Sequence, residues 1–346
     1  MQLKTSFFML LSLVIGTTIT LSSNHWFMAW MGLEINTLAI IPFIISTKNP
    51  RATEATTKYF LTQAAASITL MCLITFNFWK TGEWSINLTD PTTTTFILIT
   101  LMMKLGIAPL HFWMPDVLQG TPLKTGLILA TWQKLAPLLI LFQLSTTLNT
   151  NIITTLGVLS ILIGGWGIIN QTELRKMLAY SSIGHLGWTI IILPLYPNIA
   201  LLNFIIYIMM SIVMFMIFHK MSLTKISDLS TSWSYSPTMM YIMMMTMLSL
   251  SGLLPLTGFL PKLMIVWYTL KKSMIIVATM LLITSLLSTY MYIRLTHFMM
   301  MLLTPHIVNS PISWRPKKTI NSFIPLLATT SILLMPVLPT IITLIN

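Results

Sequence analysis

Residues 104–116, KLGIAPLHFWMPD, place a lysine, a glycine, two prolines and a histidine within one of the most apolar parts of this chain. Proline lacks the backbone N–H that an α-helix needs and clashes with the preceding turn, so this stretch predicts an interrupted helix. An interruption frees backbone carbonyl and amide groups, which in a membrane must face protein or a water-filled cavity. A charged side chain beside such a break indicates a functional position if the segment crosses lipid.

The composition around this stretch is that of a membrane protein. Of the 346 residues, 55% are hydrophobic and 8% are charged, whereas soluble domains carry about 25% charged residues. Apolar spans near the length that crosses a bilayer core of about 30 Å follow one another, with no room for a soluble domain between them. We therefore expect an all-α polytopic membrane protein with eleven spans, at residues 3–23, 25–45, 59–79, 94–118, 123–148, 152–170, 174–194, 198–218, 238–272, 274–300 and 320–344.

The basic residues predict how these spans are oriented. If the ninth span is one interrupted helix, thirteen of the 19 Lys and Arg residues fall on the N-terminal side of the membrane and three on the other. Counting it as two helices gives eleven against five, which fits the positive-inside rule less well. The N-terminus is therefore expected in the matrix or cytoplasm, and the C-terminus on the opposite side.

Several other classes of protein are excluded by composition. The single cysteine, Cys72, cannot form a disulfide framework or a CxxC metal or redox motif. The net charge of +12 is spread over short connections without a basic arm, which argues against nucleic-acid binding. The first span begins almost at once, so neither a cleavable signal peptide nor an Arg-rich transit sequence is expected. The 28 Met residues and many Thr residues suggest a mitochondrially encoded product.

A second interruption, SGLLPLTGFLPK at residues 251–262, lies in the fourth of the second five spans, as KLGIAP lies in the fourth of the first five. An odd number of spans in each unit reverses the orientation of the second unit. Discontinuous helices at matching positions are typical of inverted-repeat transporters. We expect a first five-helix repeat at 1–148, a second, inverted one at 149–301, and a loop with a C-terminal transmembrane helix at 302–346.

Four ionisable residues fall in the membrane interior. Burial favours neutral Lys and Glu, whereas a nearby opposite charge favours the ionised forms, so moving one charge shifts the protonation of its neighbour. This combination predicts a proton relay, with static ion pairs that lock helices together as the alternative. The four residues are Glu34 in the second span, Lys104 in the fourth, Lys134 in the fifth and Lys262 after the second break.

Two histidines are candidates to extend the relay. His111 and His185 lie within spans, and imidazole exchanges a proton near neutral pH, but hydrogen-bonded packing is an equal alternative for each. Asp116 sits at a membrane boundary and is expected to make a cap or loop contact. No metal site is predicted, and no haem site, because no pair of histidines is placed on facing spans. The other histidines lie near span ends, where solvated or interfacial roles are expected: His25, His219, His297 and His306.

Four motifs, in this order over most of the chain, resemble the antiporter-like membrane subunits of respiratory complex I. The resemblance implies a proton-pumping module of paired inverted five-helix units, in which Glu34 pairs with Lys104 while Lys134 and Lys262 are further stations. The chain lacks three N-terminal helices of the larger family members, so the contacts of those helices are not expected here. The motifs are KLGIAPLHFWMPD at 104–116, WQKLAPL at 132–138, RKMLAYSSIGHLGW at 175–188 and LSGLLPLTGFLPK at 250–262.

The resemblance implies a proton-translocating subunit of an NADH:ubiquinone oxidoreductase in the mitochondrial inner membrane. NADH, flavin, iron–sulfur clusters and ubiquinone would then be used by other subunits, because this chain has no GxGxxG after a strand and no cysteine set for a cluster. The implied partners are neighbouring membrane-arm subunits, including other antiporter-like ones, and lipids, with no nucleic acid. The alternatives are a free-standing cation/proton antiporter and a membrane scaffold with static buried ion pairs.

Overall fold

The computed structural model describes residues 3–47, 49–86, 90–231, 237–301, 323–334 and 336. Within these ranges the regular structure consists of fifteen α-helices and one short 3₁₀ helix, Ile45–Thr47. Strand pairing in the same ranges is limited to two isolated bridges. The prediction of an all-α fold is confirmed.

Seven helices of the described residues are long and apolar enough to cross a membrane. Many of their large apolar side chains are exposed, among them Phe8 (67%) and Trp166 (72%), as a lipid-facing surface requires. The prediction of a polytopic membrane protein is confirmed. The seven are Thr5–Ser22, Trp26–Ile44, Pro50–Thr81, Leu123–Gln143, Thr150–Ile169, Pro197–Met221 and Ile275–Met300.

The chain divides into two compact units. One is Met1–Ser160 with Leu193–Pro197, and the other is Ile161–Ile192 with Asn198–Asn346. The division falls within the helix Thr150–Ile169. The inverted repeats expected at 1–148 and 149–301 stay a prediction.

Side-chain hydrogen bonds join the helices of the first unit, as is common where lipid weakens the hydrophobic drive between helices. Trp30 Nε1 donates to Ser67 O at 3.0 Å, and Gln133 Nε2 donates to Asn36 O at 3.0 Å. The helices are α1 (Leu3–Ser22), α2 (Trp26–Ile44), α3 (Pro50–Thr81), α4 (Pro91–Leu105), α5 (Trp113–Gly120), α6 (Leu123–Ala130), α7 (Trp132–Gln143) and the first part of α8 (Thr150–Ile169).

The interruption predicted at residues 104–116 is confirmed. Helix α4 ends at Leu105 and is capped by Gly106, whose φ of +72° is a left-handed conformation that glycine adopts without steric cost. Residues 106–112 form the break, with a cis peptide bond between Ala108 and Pro109, and α5 begins at Trp113.

The second unit contains the matching interruption. Gly252, with φ +84°, follows α12, and residues 252–258 form a break of the same length with a cis peptide bond between Leu254 and Pro255. Thr257 in this break donates a hydrogen bond to the carbonyl oxygen of Ser331. Beyond the rest of α8, the helices are α9 (Leu174–Ile192), α10 (Pro197–Met221), α11 (Ile226–Thr231), α12 (Pro237–Ser251), α13 (Phe259–Lys271), α14 (Ile275–Met301) and α15 (Phe323–Leu333).

Three features of these helices were not predicted. The fifth span is interrupted at Thr131, between α6 and α7. Helix α3 begins at Pro50, nine residues before the expected apolar span, because proline is pre-organised for the first helical position. Helix α11 was not expected at all.

Part of the predicted C-terminal region lies outside the described residues. Of the span expected at 320–344, helix α15 is described. The predicted loop at 302–322, whose basic residues contribute to the predicted orientation, lies outside the described residues. The C-terminal residue lies outside them as well.

Candidate functional site

Lys104 lies in the last turn of α4, directly before the first break, and its side chain is buried, with 5% of the residue exposed. Among the described residues its Nζ atom has no hydrogen-bond partner. Burying an amine in this way is costly unless an opposite charge or water compensates it. A protonated Lys104 therefore requires an opposite charge or water nearby.

Glu34, partly buried in α2, supplies a negative charge that acts on Lys104. The two make no ion pair within 4.0 Å, and Glu34 Oε2 has no hydrogen-bond partner in the described part of the chain. The same charge acts on the buried hydroxyl of Tyr59. The structure thus brings Glu34 and Lys104 into electrostatic range without direct contact.

A small cavity lies beside Lys104. Both polar atoms of the Asn36 side chain are buried without a hydrogen-bond partner among the described residues. A polar cavity of this kind can hold water, because several groups are available to hydrogen-bond it. Water in this cavity would connect the Lys104 amine to the other polar groups that line it. Besides Lys104, the polar lining consists of Asn36, Thr37, Tyr59, Gln63 and Gln133.

Two side chains bind the carbonyl groups at the end of α4. Trp113 Nε1 donates to Met103 O at 3.0 Å, and Gln63 Nε2 donates to Lys104 O at 3.4 Å. The ring of Tyr59 packs edge-on against that of Trp113, with the centroids 5.7 Å apart. These contacts fix the backbone of Lys104 and leave its amine uncommitted.

Lys134 is also buried, with 3% of the residue exposed, in the first turn of α7. Its backbone N–H donates to Thr131 O, at the interruption that precedes it. The neighbouring Gln133 and Ala136 line the Lys104 cavity, but Lys134 does not. The structure places Lys134 in the same unit as Lys104 without bringing the two to one cavity.

Lys262 lies at the start of α13, after the second break. Its Nζ donates to Ser251 O at 2.7 Å and to Leu250 O at 3.2 Å, the last carbonyl groups of α12. A positive charge at the C-terminal end of a helix is favourable, because the helix dipole is negative there. Lys262 thus closes the helix end that the break leaves open.

A second small cavity is lined by both Lys262 and His185 within the second unit. The ring of His185 stacks on that of Tyr207, with the centroids 5.3 Å apart. The cavity combines a cation and an imidazole with hydroxyl groups, all of which exchange protons with water. The remaining polar lining consists of Tyr180, Ser181, Ser288 and Tyr292.

His111 lies within the first break and is buried. Its Nδ1 is 3.3 Å from Pro109 O, and its ring contacts that of Phe112, with the centroids 4.4 Å apart. It does not line either cavity. These contacts fit hydrogen-bonded packing, which is the alternative to a relay role for His111.

Sequence reasoning missed most of the groups that line the cavities. Asn36 and Gln63 carried a detectable signal, because each is an amide within an otherwise apolar span, at EINTLAI and YFLTQAAAS. Tyr59 and Tyr292 carried none, because buried tyrosines in helices commonly serve packing.

Acidic residues near the ends of spans are in contact with lysine. Asp116 Oδ2 lies 2.8 Å from Lys58 Nζ, and Glu54 Oε1 lies 2.7 Å from the same nitrogen. Asp116 thus joins the first turn of α5 to α3, which is neither the cap nor the loop contact expected for it. Within the described residues no group of three or more His, Cys, Asp or Glu side chains is arranged to hold a metal ion.

Comparisons with known proteins agree with this architecture. Residues 23–288 match the family described as NADH:quinone oxidoreductase/Mrp antiporter, transmembrane. The chain is 52% identical over 333 residues to NADH-ubiquinone oxidoreductase chain 2 of Aquarana catesbeiana, covering 96% of this chain and 97% of that one. It is 47% identical over 346 residues to the protein of the same name from Sylvisorex granti, covering 99% and 100%.

Solved structures show the same fold at lower identity. A chain of respiratory complex I from Thermus thermophilus superposes with a TM-score of 0.83 at 23% identity, covering 96% of this chain and 77% of that one. A chain of the Mrp complex from Dietzia superposes with a TM-score of 0.76 at 15% identity, covering 83% and 59%. By the family match and the identity to its relatives, the chain belongs to the NADH:quinone oxidoreductase/Mrp antiporter transmembrane family and, within it, to the NADH-ubiquinone oxidoreductase chain 2 proteins.

Proposed function

We propose that this chain is a proton-translocating membrane subunit of NADH:ubiquinone oxidoreductase, and that Glu34, Lys104, Lys134 and Lys262 form its relay. Relatives at about half identity over nearly the whole chain carry the name of that enzyme's chain 2. The observation that carries the relay is Lys104, a buried amine with no hydrogen-bond partner among the described residues, beside a polar cavity and within the field of Glu34.

In the first unit, the lack of direct contact between Glu34 and Lys104 is what a mobile proton needs. A tight ion pair would hold both groups ionised, whereas two charges that act at a distance shift each other's protonation without fixing it. When Lys104 releases its proton to water in the cavity, the negative charge of Glu34 remains nearby and favours the return of a proton to Lys104. One transfer thus prepares the next.

In the second unit, Lys262 can release a proton while its helix contacts remain. An ammonium group has three N–H donors, and two of them bind the carbonyls of Leu250 and Ser251. The neutral amine that forms on release still has two N–H bonds, so both contacts persist. The third proton is the one available to the cavity that Lys262 shares with His185.

Lys134 completes the relay in this proposal, and His111 and His185 are its candidate extensions. Of the two histidines, His185 has the stronger support, because it lines the Lys262 cavity. Lys134 is supported by its burial after the interruption at Thr131, since helix distortions often occur at functional positions.

The chain holds no redox group of its own in this proposal. Its one cysteine cannot ligate an iron–sulfur cluster, so NADH, flavin, iron–sulfur clusters and ubiquinone belong to partner subunits. The partners are other membrane-arm subunits of the complex, including neighbouring antiporter-like ones, and membrane lipids. The location is the mitochondrial inner membrane, with the N-terminus in the matrix and the C-terminus in the intermembrane space.

The test is proton translocation by the purified complex in lipid vesicles, measured per NADH oxidised. Lys104→Met keeps an unbranched stem and removes the titratable group, and is expected to lower the proton yield. Lys80→Met is the matched control, because Lys80 is an exposed amine paired with Asp90 on the surface. A Lys104→Met complex that pumps normally would favour a scaffold, and a chain that purifies alone and exchanges cations would favour an antiporter. Opposite accessibility of tags at the two termini tests the orientation.

A further inference from the structure

Tyr292 is a buried polar residue that the relay above does not use. It lies in α14, with 1% of the residue exposed, and lines the same cavity as Lys262 and His185. Its hydroxyl group has no hydrogen-bond partner among the described residues. Leaving a buried hydroxyl unpaired costs free energy, so packing alone would be better served by phenylalanine.

The hydroxyl groups around Tyr292 are already committed elsewhere. Ser181 is near enough to interact with the Tyr292 hydroxyl, but the two groups do not meet hydrogen-bond geometry, and Ser181 donates its own proton to Leu178 O at 2.8 Å. Tyr207, which interacts electrostatically with Tyr292, hydrogen-bonds with Ser182 and Ser211. The Tyr292 hydroxyl is therefore available to the contents of the cavity that Lys262 and His185 also line.

We propose that the hydroxyl of Tyr292 transfers protons between Lys262 and His185 across the cavity. This inference rests on the proposed function of Lys262 as a proton station. A phenolic hydroxyl suits the task because its oxygen accepts a hydrogen bond while its O–H donates another.

The transfer balances without any further reactant. An N–H bond of the Lys262 ammonium breaks, directly or through cavity water, and a new O–H bond forms at Tyr292. The original O–H bond of Tyr292 breaks at the same time, and its proton forms an N–H bond on the neutral His185 ring. Lys262 ends neutral and His185 ends as a cation, while Tyr292 is neutral before and after.

The experiment uses the intact complex with Tyr292→Phe, which keeps the aromatic ring and removes the oxygen. Tyr290→Phe is the matched control, because Tyr290 lies two residues away in α14 and is 57% exposed. Because positioned proton-transfer groups contribute about 10²–10⁴-fold, we expect the Tyr292→Phe proton flux to fall about tenfold or more. The Tyr292→Phe complex should assemble normally, and Tyr290→Phe should retain the parent flux.

A second variant separates the chemical role from a packing role. Tyr292→His restores a ring that both accepts and donates a proton, so we expect it to recover part of the flux that Tyr292→Phe loses. Normal flux in Tyr292→Phe, or loss of assembly with Tyr292→Phe, would overturn the inference, since the hydroxyl would then be dispensable or structural. Lys262→Gln, which keeps N–H donors for the end of α12, isolates the underlying proposal. If that complex pumps normally, the station itself fails, whereas loss with Lys262→Gln and normal flux with Tyr292→Phe rejects only the role of Tyr292.

Discussion

The Nζ of Lys262 lies 2.7 Å from the carbonyl oxygen of Ser251, so the amine that we propose as a proton station also caps the helix end formed by the second break. At the first break the two tasks are divided. There Trp113 binds Met103 O from the far side of the break, while Lys104 lies on the near side with its amine free among the described residues. Two breaks of equal length thus satisfy their freed carbonyl groups with different chemistry.

Lys262→Met is expected to damage both the capping of α12 and the transfer of protons. The substitution leaves Leu250 O and Ser251 O without their donor, at a cost of about 1–3 kcal/mol for each carbonyl that cavity water does not satisfy. Hydrogen exchange of the amides around the second break should therefore quicken, and the proton yield should fall. Lys262→Gln keeps N–H donors without a titratable proton, so it should restore slow exchange but not pumping. Normal pumping with glutamine would show that Lys262 only caps the helix.

Trp113→Phe tests the corresponding cap at the first break. It removes the indole N–H that binds Met103 O while keeping an aromatic ring against Tyr59. A lost intramolecular hydrogen bond costs about 1 kcal/mol, so local exchange at the end of α4 should rise several-fold and the proton yield should fall moderately. Trp166→Phe, at a residue that is 72% exposed, should change neither quantity. Equal effects of the two substitutions would contradict a specific role for the cap.

Glu34→Gln and Lys104→Met should interact when combined. Each single change removes the charge that favours the ionised form of the other group, so each should lower the proton yield. Because the second change removes a group that has already lost its partner, the double variant should lose less than the sum of the single losses. The measurement is a double-mutant cycle on the logarithm of the proton flux. Strictly additive losses would mean that the field of one group does not matter to the other.

Asp228 predicts a pH dependence outside the membrane-spanning helices. Its Oδ2 accepts hydrogen bonds from Lys225 N at 2.9 Å and from Thr224 N at 3.0 Å, and these bonds lower the pKa of the carboxyl group. A lowered pKa means that the carboxylate stabilises the start of α11 above the unfolded pKa, and that this stability is lost as the pH falls through the folded value. Asp228→Asn should therefore speed amide exchange at Thr224 and Lys225 near neutral pH. The difference from the parent should vanish in acid, and a difference that persists there would reject carboxylate capping.

The two breaks could be predicted from sequence because glycine and proline leave a helix few alternatives. Gly106 and Gly252 both adopt the left-handed conformation, and a proline follows each three residues later. Buried lysines were equally visible, since a charge within an apolar span has few structural explanations. These signals are local, and a single chain segment carries each of them.

What the sequence could not supply is the partner of each buried group. Whether Lys104 or Lys262 caps a helix depends on which side chain reaches the freed carbonyls, and Trp113 does so in one case and Lys262 in the other. Nothing in the pattern distinguishes Tyr292, which lines a cavity, from Tyr290, which is exposed. The fifth span is interrupted at Thr131, where no adjacent glycine or proline indicates it.

Lys134→Arg separates a proton station from a fixed positive charge. Lys134 is buried directly after the Thr131 interruption and does not line the Lys104 cavity, so geometry alone does not assign it a role. Arginine keeps the charge but does not release its proton, whereas Lys134→Met keeps an unbranched stem and removes the proton site. If Lys134 relays protons, both complexes should assemble and both should lose proton transport together with coupled NADH oxidation. A scaffold that needs only a positive charge would instead tolerate arginine and fail with methionine, so a Lys134→Arg complex that pumps normally would remove Lys134 from the relay.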